Sequence, residues 1–191
     1  ADTLYRETLM LWNKKHPDYA AIRGNLAQLN IDMGRYDVTE AMYREVIAEL
    51  GEQHDMYAIS LNNLANLFQK TGRYEEAEAL YHRVLALQES RKGKAHPDYA
   101  QTLNNLAALY VVANRHSEAE ALFRDAMATR EATLGKQHPD YAASVGNLAN
   151  LYYFMRRYAE AEPLFLEALA IREKAVGEEH PNYIANLNSL A

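Results

Sequence analysis

A five-residue phrase that recurs along the chain constrains the fold more than any other feature. The phrase His-Pro-Asp-Tyr-Ala begins at His16, and whole or altered copies begin at His54, His96, His138 and His180. The second copy follows the first after 38 residues, and the later copies follow at intervals of 42 residues. Such spacing is typical of proteins that stack one structural unit on the next. Each unit must therefore bury its apolar face against a neighbouring unit.

Three further landmarks have fixed positions relative to each His. Asn-Leu-Ala follows after nine residues, as at Asn25, and Gly-Arg-Tyr follows after eighteen, as at Gly34; Glu-Ala-Leu-Tyr comes next, as at Glu78. Gly at the second landmark suits the left-handed residue that ends a helix. Between landmarks the apolar residues have helical spacing, for example Leu103, Leu106, Ala107 and Tyr110. Each repeat is therefore predicted to contain a helix A, a tight turn and a helix B.

Other residue types support the same division into helices. Pro in the phrase suits the first residue of helix A, and Gly before the phrase suits the end of helix B. Small residues of helix B are predicted to let two helices approach closely: Ala77, Ala119 and Ala161. Aromatic residues of helix B are predicted to fill the space between repeats: Tyr81, Phe123 and Phe165.

This pattern resembles the tetratricopeptide repeat. The small and aromatic positions of that repeat correspond to Tyr74, Ala77, Tyr81, Ala107 and Tyr110. The phrase from Ala168 to Lys174, which leads to His180, resembles the 42-residue variety found in kinesin light chains and in many bacterial repeat proteins. The resemblance covers essentially the whole chain and implies an all-α fold, a right-handed superhelical solenoid of antiparallel helix pairs. It implies little about a particular partner, because many functions share this scaffold.

The predicted organisation is a single repeat domain over residues 1–191. Its parts are helix B of a preceding repeat at 1–15, repeat 1 at 16–53, repeat 2 at 54–95, repeat 3 at 96–137, repeat 4 at 138–179 and a partial helix A at 180–191. Repeat 1 has four residues fewer between Val46 and His54 than repeat 2 has between Val84 and His96, so its helix B should be about one turn shorter. Both ends lack a polar capping helix, which indicates a fragment of a longer array or an array that caps itself by self-association.

Composition narrows the classes of partner. The formal net charge of −6 argues against nucleic acid, since phosphate contacts need clustered Lys and Arg. No apolar run reaches the ~20 residues that span a bilayer, and the N-terminal residues lack the pattern of a signal peptide. We therefore expect no nucleic-acid partner and no membrane insertion. The absence of cysteine fits the cytosol and the periplasm equally, and the location we predict is cytoplasmic.

No constellation of residues indicates catalysis. The sequence lacks a phosphate-binding glycine loop, a His-Glu-x-x-His motif and a nucleophile elbow. Five of the seven His belong to the repeated phrase, so a whole repeat separates each from the next and they cannot converge on one metal ion; we expect them to close the turn before helix A. Carboxylates such as Glu75 and Glu76 should complement the helix dipole or face water. We therefore predict no enzyme activity, no catalytic residue, no metal and no cofactor.

The arc of helix A opposite its core face contains side-chain amides in every repeat. At ~100° per residue the positions on this arc are Gly24, Asn25, Gln28, Ile31 and Asp32 in repeat 1; Asn62, Asn63, Asn66, Gln69 and Lys70 in repeat 2; Asn104, Asn105, Ala108, Val111 and Val112 in repeat 3; and Gly146, Asn147, Asn150, Tyr153 and Phe154 in repeat 4. In tetratricopeptide arrays this arc lines the concave groove, so the resemblance implies a ladder of Asn along the groove. Asn is a mediocre helix former, but its amide can pair with the main chain of an extended peptide.

Thirteen arc residues are candidate partner-binding residues: Asn25, Gln28, Asn62, Asn63, Asn66, Gln69, Lys70, Asn104, Asn105, Asn147, Asn150, Tyr153 and Phe154. The inner row, which is Asn25, Asn63, Asn105 and Asn147, could contact a peptide or bond the neighbouring repeat. The outer row, which is Asn62, Asn66, Asn104 and Asn150, should contact a partner, because fewer repeat-packing groups should lie within its reach.

The charged residues of the helix A arc and of the turns give two further inferences. The resemblance argues against the clamp that grips the C-terminal carboxylates of heat-shock chaperones, because its Lys position is here Gly24, Asn62, Asn104 and Gly146. Basic residues could form a positive rim for an acidic peptide or could cap the ends of helix A: Lys70 and the turn residues Arg35, Arg73, Arg115 and Arg157.

Two aromatic residues depart from the repeat pattern. Of 14 Tyr, only Tyr153 lies outside a recurring position, and Phe154 follows it. The pair could form an apolar anchor at the C-terminal end of the groove, or Phe154 could pack on the following repeat.

These observations predict a non-enzymatic interaction module that binds an extended peptide or a helix of a partner protein in the concave groove. The alternative is a structural element that forms homo-oligomers through its terminal helices, with Leu4, Tyr5, Leu9 and Trp12 docking on another copy.

Overall fold

A computed structural model describes residues 17–176 of the chain as eight α-helices. They are α1 (Pro17–Asp32), α2 (Tyr36–Glu49), α3 (Asp55–Lys70), α4 (Tyr74–Lys92), α5 (Pro97–Val112), α6 (His116–Leu134), α7 (Pro139–Phe154) and α8 (Tyr158–Val176). These residues contain no strand, and the predicted all-α class is confirmed. The predicted helix at 1–15, the partial helix at 180–191 and the phrases at His16 and His180 lie outside the described residues.

The helices alternate between the two types that the repeat predicts. Each interval predicted for repeats 1 to 4 contains one helix A and one helix B. The four A helices have 16 residues each. Helix α2 has 14 residues, whereas α4, α6 and α8 have 19, so the predicted shortening of helix B in repeat 1 is confirmed.

The chain divides into two compact units, residues 1–80 and 81–191. In the first unit α1 contacts α2, and α2 contacts α3; in the second, α5 contacts α6, α6 contacts α7, and α7 contacts α8. Helix B residues predicted to pack between helices are all buried: Ala77, Tyr81, Ala119, Phe123, Ala161 and Phe165. Among the described helices, none combines the length and the apolar character that crossing a membrane requires.

A left-handed residue ends each helix A. This residue is Gly34, Gly72, Asn114 or Arg156, with φ between 58° and 78°. The N–H group of the residue after it donates to the carbonyl five positions earlier, as from Arg73 to Phe68 over 2.8 Å, which is the Schellman arrangement. The prediction from Gly and Asn is confirmed. Arg156 adopts the same conformation although a side chain there costs roughly 1–2 kcal/mol.

The phrase histidines cap the helices that follow them. In His54, His96 and His138 the ring Nδ1 accepts a hydrogen bond from the backbone N–H two residues later, at 3.1–3.2 Å. Each His has extended backbone dihedrals, and Pro97 and Pro139 occupy the first helical position. The prediction that these residues close the turn before helix A is confirmed for the three described copies.

The cap predicts how the protein responds to substitution of His96. His96→Ala leaves the Asp98 N–H without its acceptor and should lower the free energy of unfolding by about 1 kcal/mol. His96→Asn should restore most of that loss, because Asn is among the best N-cap residues. Urea denaturation of the two variants measures the difference. Equal losses in both variants would show that the imidazole ring contributes through packing and not through the cap.

Candidate partner-binding surface

The thirteen candidate residues differ in burial. Seven are exposed: Asn25, Gln28, Asn66, Lys70, Asn150, Tyr153 and Phe154. Five are half-buried: Asn62, Asn63, Gln69, Asn105 and Asn147. Asn104 alone among the thirteen is buried. The helix A arc is therefore accessible at most of the predicted positions.

Asn104 is only 4% exposed and joins two repeats. Its Nδ2 donates to the Ala100 carbonyl over 3.0 Å and to Ser144 Oγ over 3.1 Å. Its Oδ1 accepts from Asn147 Nδ2 at 3.2 Å. We expected few repeat-packing groups near the outer row, and for Asn104 this is wrong because Ser144 of the next helix A lies within bonding distance. Asn104 therefore stabilises the contact between α5 and α7.

A buried arginine beneath the arc escaped the sequence analysis. Arg130 of α6 is 4% exposed. Its Nη1 donates to the Asp140 carbonyl at 2.9 Å and to Ser144 Oγ at 3.0 Å, and its Nη2 donates to Gln101 Oε1 at 2.7 Å. Burial lowers the pKa of Arg130. Arg recurs at position 172, which is 42 residues later, and this recurrence could have identified Arg130 as part of the repeat pattern.

These bonds form one continuous polar network in the second unit. Gln101 Nε2 donates to Asn105 Oδ1 over 3.1 Å, so Gln101 links Arg130 to the inner row. Ser144 Oγ accepts from both Arg130 and Asn104, and Asn104 in turn bonds Asn147. The amides of Asn105 and Asn147 thus belong to one chain of hydrogen bonds. Their orientation depends on buried partners that the Asn pattern alone does not reveal.

Turn arginines pack against aromatic rings at the end of helix A. The guanidinium carbon of Arg73 lies 3.8 Å from the centroid of the Phe68 ring. Arg73 also bonds Glu76 at the start of α4 and Glu40 of the preceding helix B. Its hydrogen bond lowers the pKa of the Glu76 carboxyl group. Of the two alternatives, a role in closing the turn fits this residue better than a positive rim.

The turn of repeat 4 repeats this arrangement. Arg157 lies 4.2 Å from the Tyr152 ring centroid and bonds both Glu160 and Glu120 at 2.6–2.7 Å. Its hydrogen bond lowers the pKa of Glu160. Tyr152 itself donates to Glu120 over 3.0 Å. The charge of Arg157 is therefore neutralised by Glu160 at the start of α8 and by Glu120 of the preceding helix B.

Three exposed aromatic side chains meet at the turn of repeat 4, and we call them the aromatic cluster: Tyr153, Phe154 and Tyr158. The Tyr153 ring centroid lies 6.4 Å from that of Phe154 and 5.5 Å from that of Tyr158, with edge-to-face angles of 75° and 62°. The three residues are 50%, 71% and 55% exposed. Tyr158 lies at the recurring turn position of Tyr36 and Tyr74, and the repeat pattern alone does not predict its contact with Tyr153.

Phe154 is exposed because of its position on helix A. Val112 holds the same position in repeat 3, where the following helix pair is described, and is still 53% exposed. A following repeat therefore leaves this position open in the second unit. This comparison favours the anchor over the alternative that Phe154 packs on the next repeat.

No group of three or more His, Cys, Asp or Glu suited to a metal ion occurs within the part of the chain that the structure describes. Glu75 and Glu76, which we expect to complement the helix dipole or to face water, are exposed in the first turn of α4.

Family models of the tetratricopeptide repeat match residues 55–132 and 142–182. This chain belongs to the tetratricopeptide repeat family. Repeats of this family are generally scaffolds for protein–protein interaction and are generally non-catalytic. No curated protein matches the sequence significantly.

Solved structures extend this likeness over nearly the whole chain. BtubC (BKLC) from P. vanneervenii is similar with a TM-score of 0.79 and 24% identity, over 99% of this chain and 78% of that chain. Two structures from Podosopora anserina, described as a kinesin light chain with nearly identical TPR-like repeats, have TM-scores of 0.72 and 0.70 and 25% identity. They are matched over 91% and 92% of this chain and over 86% and 87% of their own lengths. The resemblance to kinesin light chain repeats is thereby confirmed.

The contrast between Asn104 and Asn150 predicts opposite effects of alanine. Asn104→Ala removes bonds to Ser144 and Asn147 and should lower the free energy of unfolding by roughly 1–3 kcal/mol. Asn150→Ala, on an exposed helical position, should leave stability unchanged or slightly raised. Chemical denaturation of both variants measures this. A stable Asn104→Ala variant would contradict the structural role of the buried amide.

Proposed function

We propose that this chain is a non-enzymatic module that binds an extended segment of a partner protein along the helix A arc. The observation that carries the proposal is the accessibility of amides on this arc, while most other residues of α3, α5 and α7 are buried or half-buried. Exposed Asn66 and Asn150 and half-buried Asn62 offer donors and acceptors at the surface. An amide can pair with a main-chain N–H or C=O group whatever the partner's side chains are.

The charges near the arc support recognition through amides and apolar contacts more than through ion pairs. Arg73 and Arg157 each bind one carboxylate at the start of the following helix and one in the preceding helix B. Lys70 is the one exposed cation among the thirteen candidate residues. Binding should therefore depend only weakly on salt concentration, since screening acts mainly on exposed charge pairs.

The aromatic cluster supplies an apolar contact that the amides lack. Aromatic side chains commonly dominate the affinity of an interface when a partner buries them. We therefore place an apolar side chain of the partner against Tyr153, Phe154 and Tyr158, and the partner main chain along the arc of that unit.

The absence of enzyme activity is part of the same proposal. The candidate acids, bases and ligands belong to repeated positions, and two of them have clear structural roles: His96 caps α5, and Glu76 bonds Arg73. A catalytic site needs groups that converge on one reacting atom. Hydrolase and transferase assays should give only background rates, and a turnover lost on changing one of these residues would overturn this part of the proposal.

The amide contacts are tested by Asn150→Ala, which changes an exposed arc position in the same unit as the aromatic cluster. A labelled chain is first used to probe an array of 15-residue peptides, and the best binder is then titrated by calorimetry. Asn150→Ala should weaken binding by about 0.5–1.5 kcal/mol, the contribution of one hydrogen bond, while its melting temperature should change little.

The control for Asn150→Ala is Gln28→Ala, since the Gln28 amide donates to Asp32 of its own helix and should contribute less. Unchanged affinity of Asn150→Ala would contradict the proposal. Concentration-dependent mass in sedimentation, without peptide binding, would instead favour the self-association alternative.

The aromatic cluster gives a separate prediction. Tyr153→Ala should weaken binding of the same peptide by ~1 kcal/mol or more, because Tyr153 contacts both other rings. The fold should remain intact, since half of this side chain is already exposed. Val112→Ala, at the position equivalent to Phe154 in repeat 3, is the matched control and should bind normally. Loss of the helical circular dichroism signal in Tyr153→Ala would show a packing role instead.

A further inference from the structure

We propose that Asn147 is an acceptor site for one main-chain N–H group of the partner, and that Asn104 is the positioning residue that turns the Asn147 oxygen towards it. The inference rests on the proposed function and names the chemical group of the partner that this position of the inner row takes. Asn104 acts through Asn147 and not through contact with the partner, since it is only 4% exposed.

The orientation of Asn104 is set by a group that cannot donate. Its Nδ2 donates to the Ala100 carbonyl, one turn earlier in α5, over 3.0 Å. A carbonyl oxygen only accepts hydrogen bonds, so the amide nitrogen has to face it. If the Asn104 amide rotated by half a turn, Oδ1 would face the Ala100 oxygen in a buried place, where neither atom supplies a hydrogen.

Ser144 of α7 favours the same orientation. Its Oγ accepts from Asn104 Nδ2 at 3.1 Å and from Arg130 Nη1 at 3.0 Å. A hydroxyl oxygen has two lone pairs, and these two donors occupy both. Asn104 is therefore left with its oxygen as the group that faces Asn147.

The orientation of Asn147 follows from that of Asn104. Because Asn104 presents Oδ1, Asn147 must present a donor, and its Nδ2 lies 3.2 Å from that oxygen. Asn147 Oδ1 is on the opposite branch of the amide and has no hydrogen-bond partner among the described residues. The side chain is half-buried, and this oxygen does not belong to the buried atoms that lack a partner. A partner on the arc therefore meets an acceptor at this position.

The fixed polarity distinguishes Asn147 from Asn150, which is exposed about one turn later in α7. The Asn150 side chain forms no hydrogen bond within the described part of the chain, so its amide can rotate and pair with a main-chain N–H or C=O group. Asn147 can pair only with an N–H group. The bound segment therefore needs an N–H group at one defined point, which excludes proline there, because proline has no main-chain N–H.

The test removes main-chain N–H groups from the peptide one at a time. The best-binding peptide of the array is remade as a series of esters, in each of which an oxygen atom replaces one main-chain N–H group. One ester should bind the unaltered chain about two- to tenfold more weakly than the peptide does, the loss expected for one hydrogen bond. On Asn147→Ala that ester and the peptide should bind equally, because the acceptor is already absent. Asn63→Ala, at the same repeat position in repeat 2, is the matched control and should keep the full ester penalty.

Asn104→Ala tests the positioning role. Without Asn104 Oδ1 the Asn147 amide can rotate, so the penalty for that ester should shrink while the peptide itself still binds. A merely structural Asn104 would lower stability and leave the ester penalty unchanged. The unaltered chain supplies a second measurement where Asn104→Ala fails to fold. In ¹⁵N–¹H NMR one side-chain N–H of Asn147 should exchange with solvent more slowly than those of Asn150, because it donates to Asn104.

A further variant tests the polarity directly. Asn147→Asp keeps an acceptor at this position and removes both side-chain N–H donors. It should bind the peptide at least as tightly as the unaltered chain does, since a carboxylate is a stronger acceptor than an amide. If Asn147 instead donated to a partner carbonyl, Asn147→Asp would lose affinity.

Three results would overturn the inference. Equal ester penalties in Asn147→Ala and in the unaltered chain, for every ester, would show that no partner N–H reaches Asn147. Weaker binding of the peptide by Asn147→Asp would show that this position donates. Rapid solvent exchange of both Asn147 side-chain N–H groups would show that Asn104 does not hold the amide. Each of these results leaves the proposed function intact where Asn150→Ala binds more weakly, whereas an array that yields no bound peptide would contradict the proposed function and this inference together.

Discussion

A pair of helices cannot bury its own apolar surface, and this constraint governs the rest of the structure. The A helices carry apolar residues on more than one side. A second helix pair must therefore cover the apolar surface that the first pair leaves exposed. The covering contact is close because the facing residues are small, as Ala100 and Ala107 show in α5. Close approach in turn places main-chain and short polar groups of successive helices within hydrogen-bonding distance, and the polar network of the second unit forms there.

The same constraint explains how a polar row can be partly structural and partly accessible. One turn of helix separates Asn104 from Ala108 and rotates the side chains only slightly around the helix axis. A position that points a little towards the next helix A, such as Asn104, is drawn into the contact with Ser144. A position that points a little away, such as Asn150 in α7, stays exposed. Positions that pack between repeats and positions that stay accessible thus lie on the same face of helix A.

Local features of the fold could be predicted from the sequence because each depends on residues close together in the chain. The His96 cap, the left-handed Gly72 and the short α2 need only the repeat spacing and the rules of helix ends. The Asn104 contact and the buried Arg130 depend on residues from neighbouring repeats that come together only after stacking. The sequence left open whether Arg157 faces a partner or closes the turn for the same reason, since its partner Glu120 lies 37 residues before it.

Departures from the repeat are of two physical kinds, and they have different meanings. In repeat 1, Asn30 replaces the aromatic residue that packs against the turn arginine in the other repeats. The Oδ1 of Asn30 is buried and has no hydrogen-bond partner in the described part of the chain. Exposed Val38 occupies the position that Glu76 has in repeat 2. These changes remove stabilising contacts, and a protein tolerates such losses as long as its total stability remains sufficient.

In repeat 4 the changes add features that are unfavourable in the free protein. Tyr153 and Phe154 expose apolar rings to water, and Arg156 adopts a left-handed conformation that Gly occupies without penalty in repeats 1 and 2. Each of these features costs free energy in the unbound chain. A partner that buried the aromatic cluster would recover the cost of the exposed rings, and aromatic residues often dominate the affinity of an interface. We therefore propose the turn of repeat 4 as the place to look for the contact that dominates affinity.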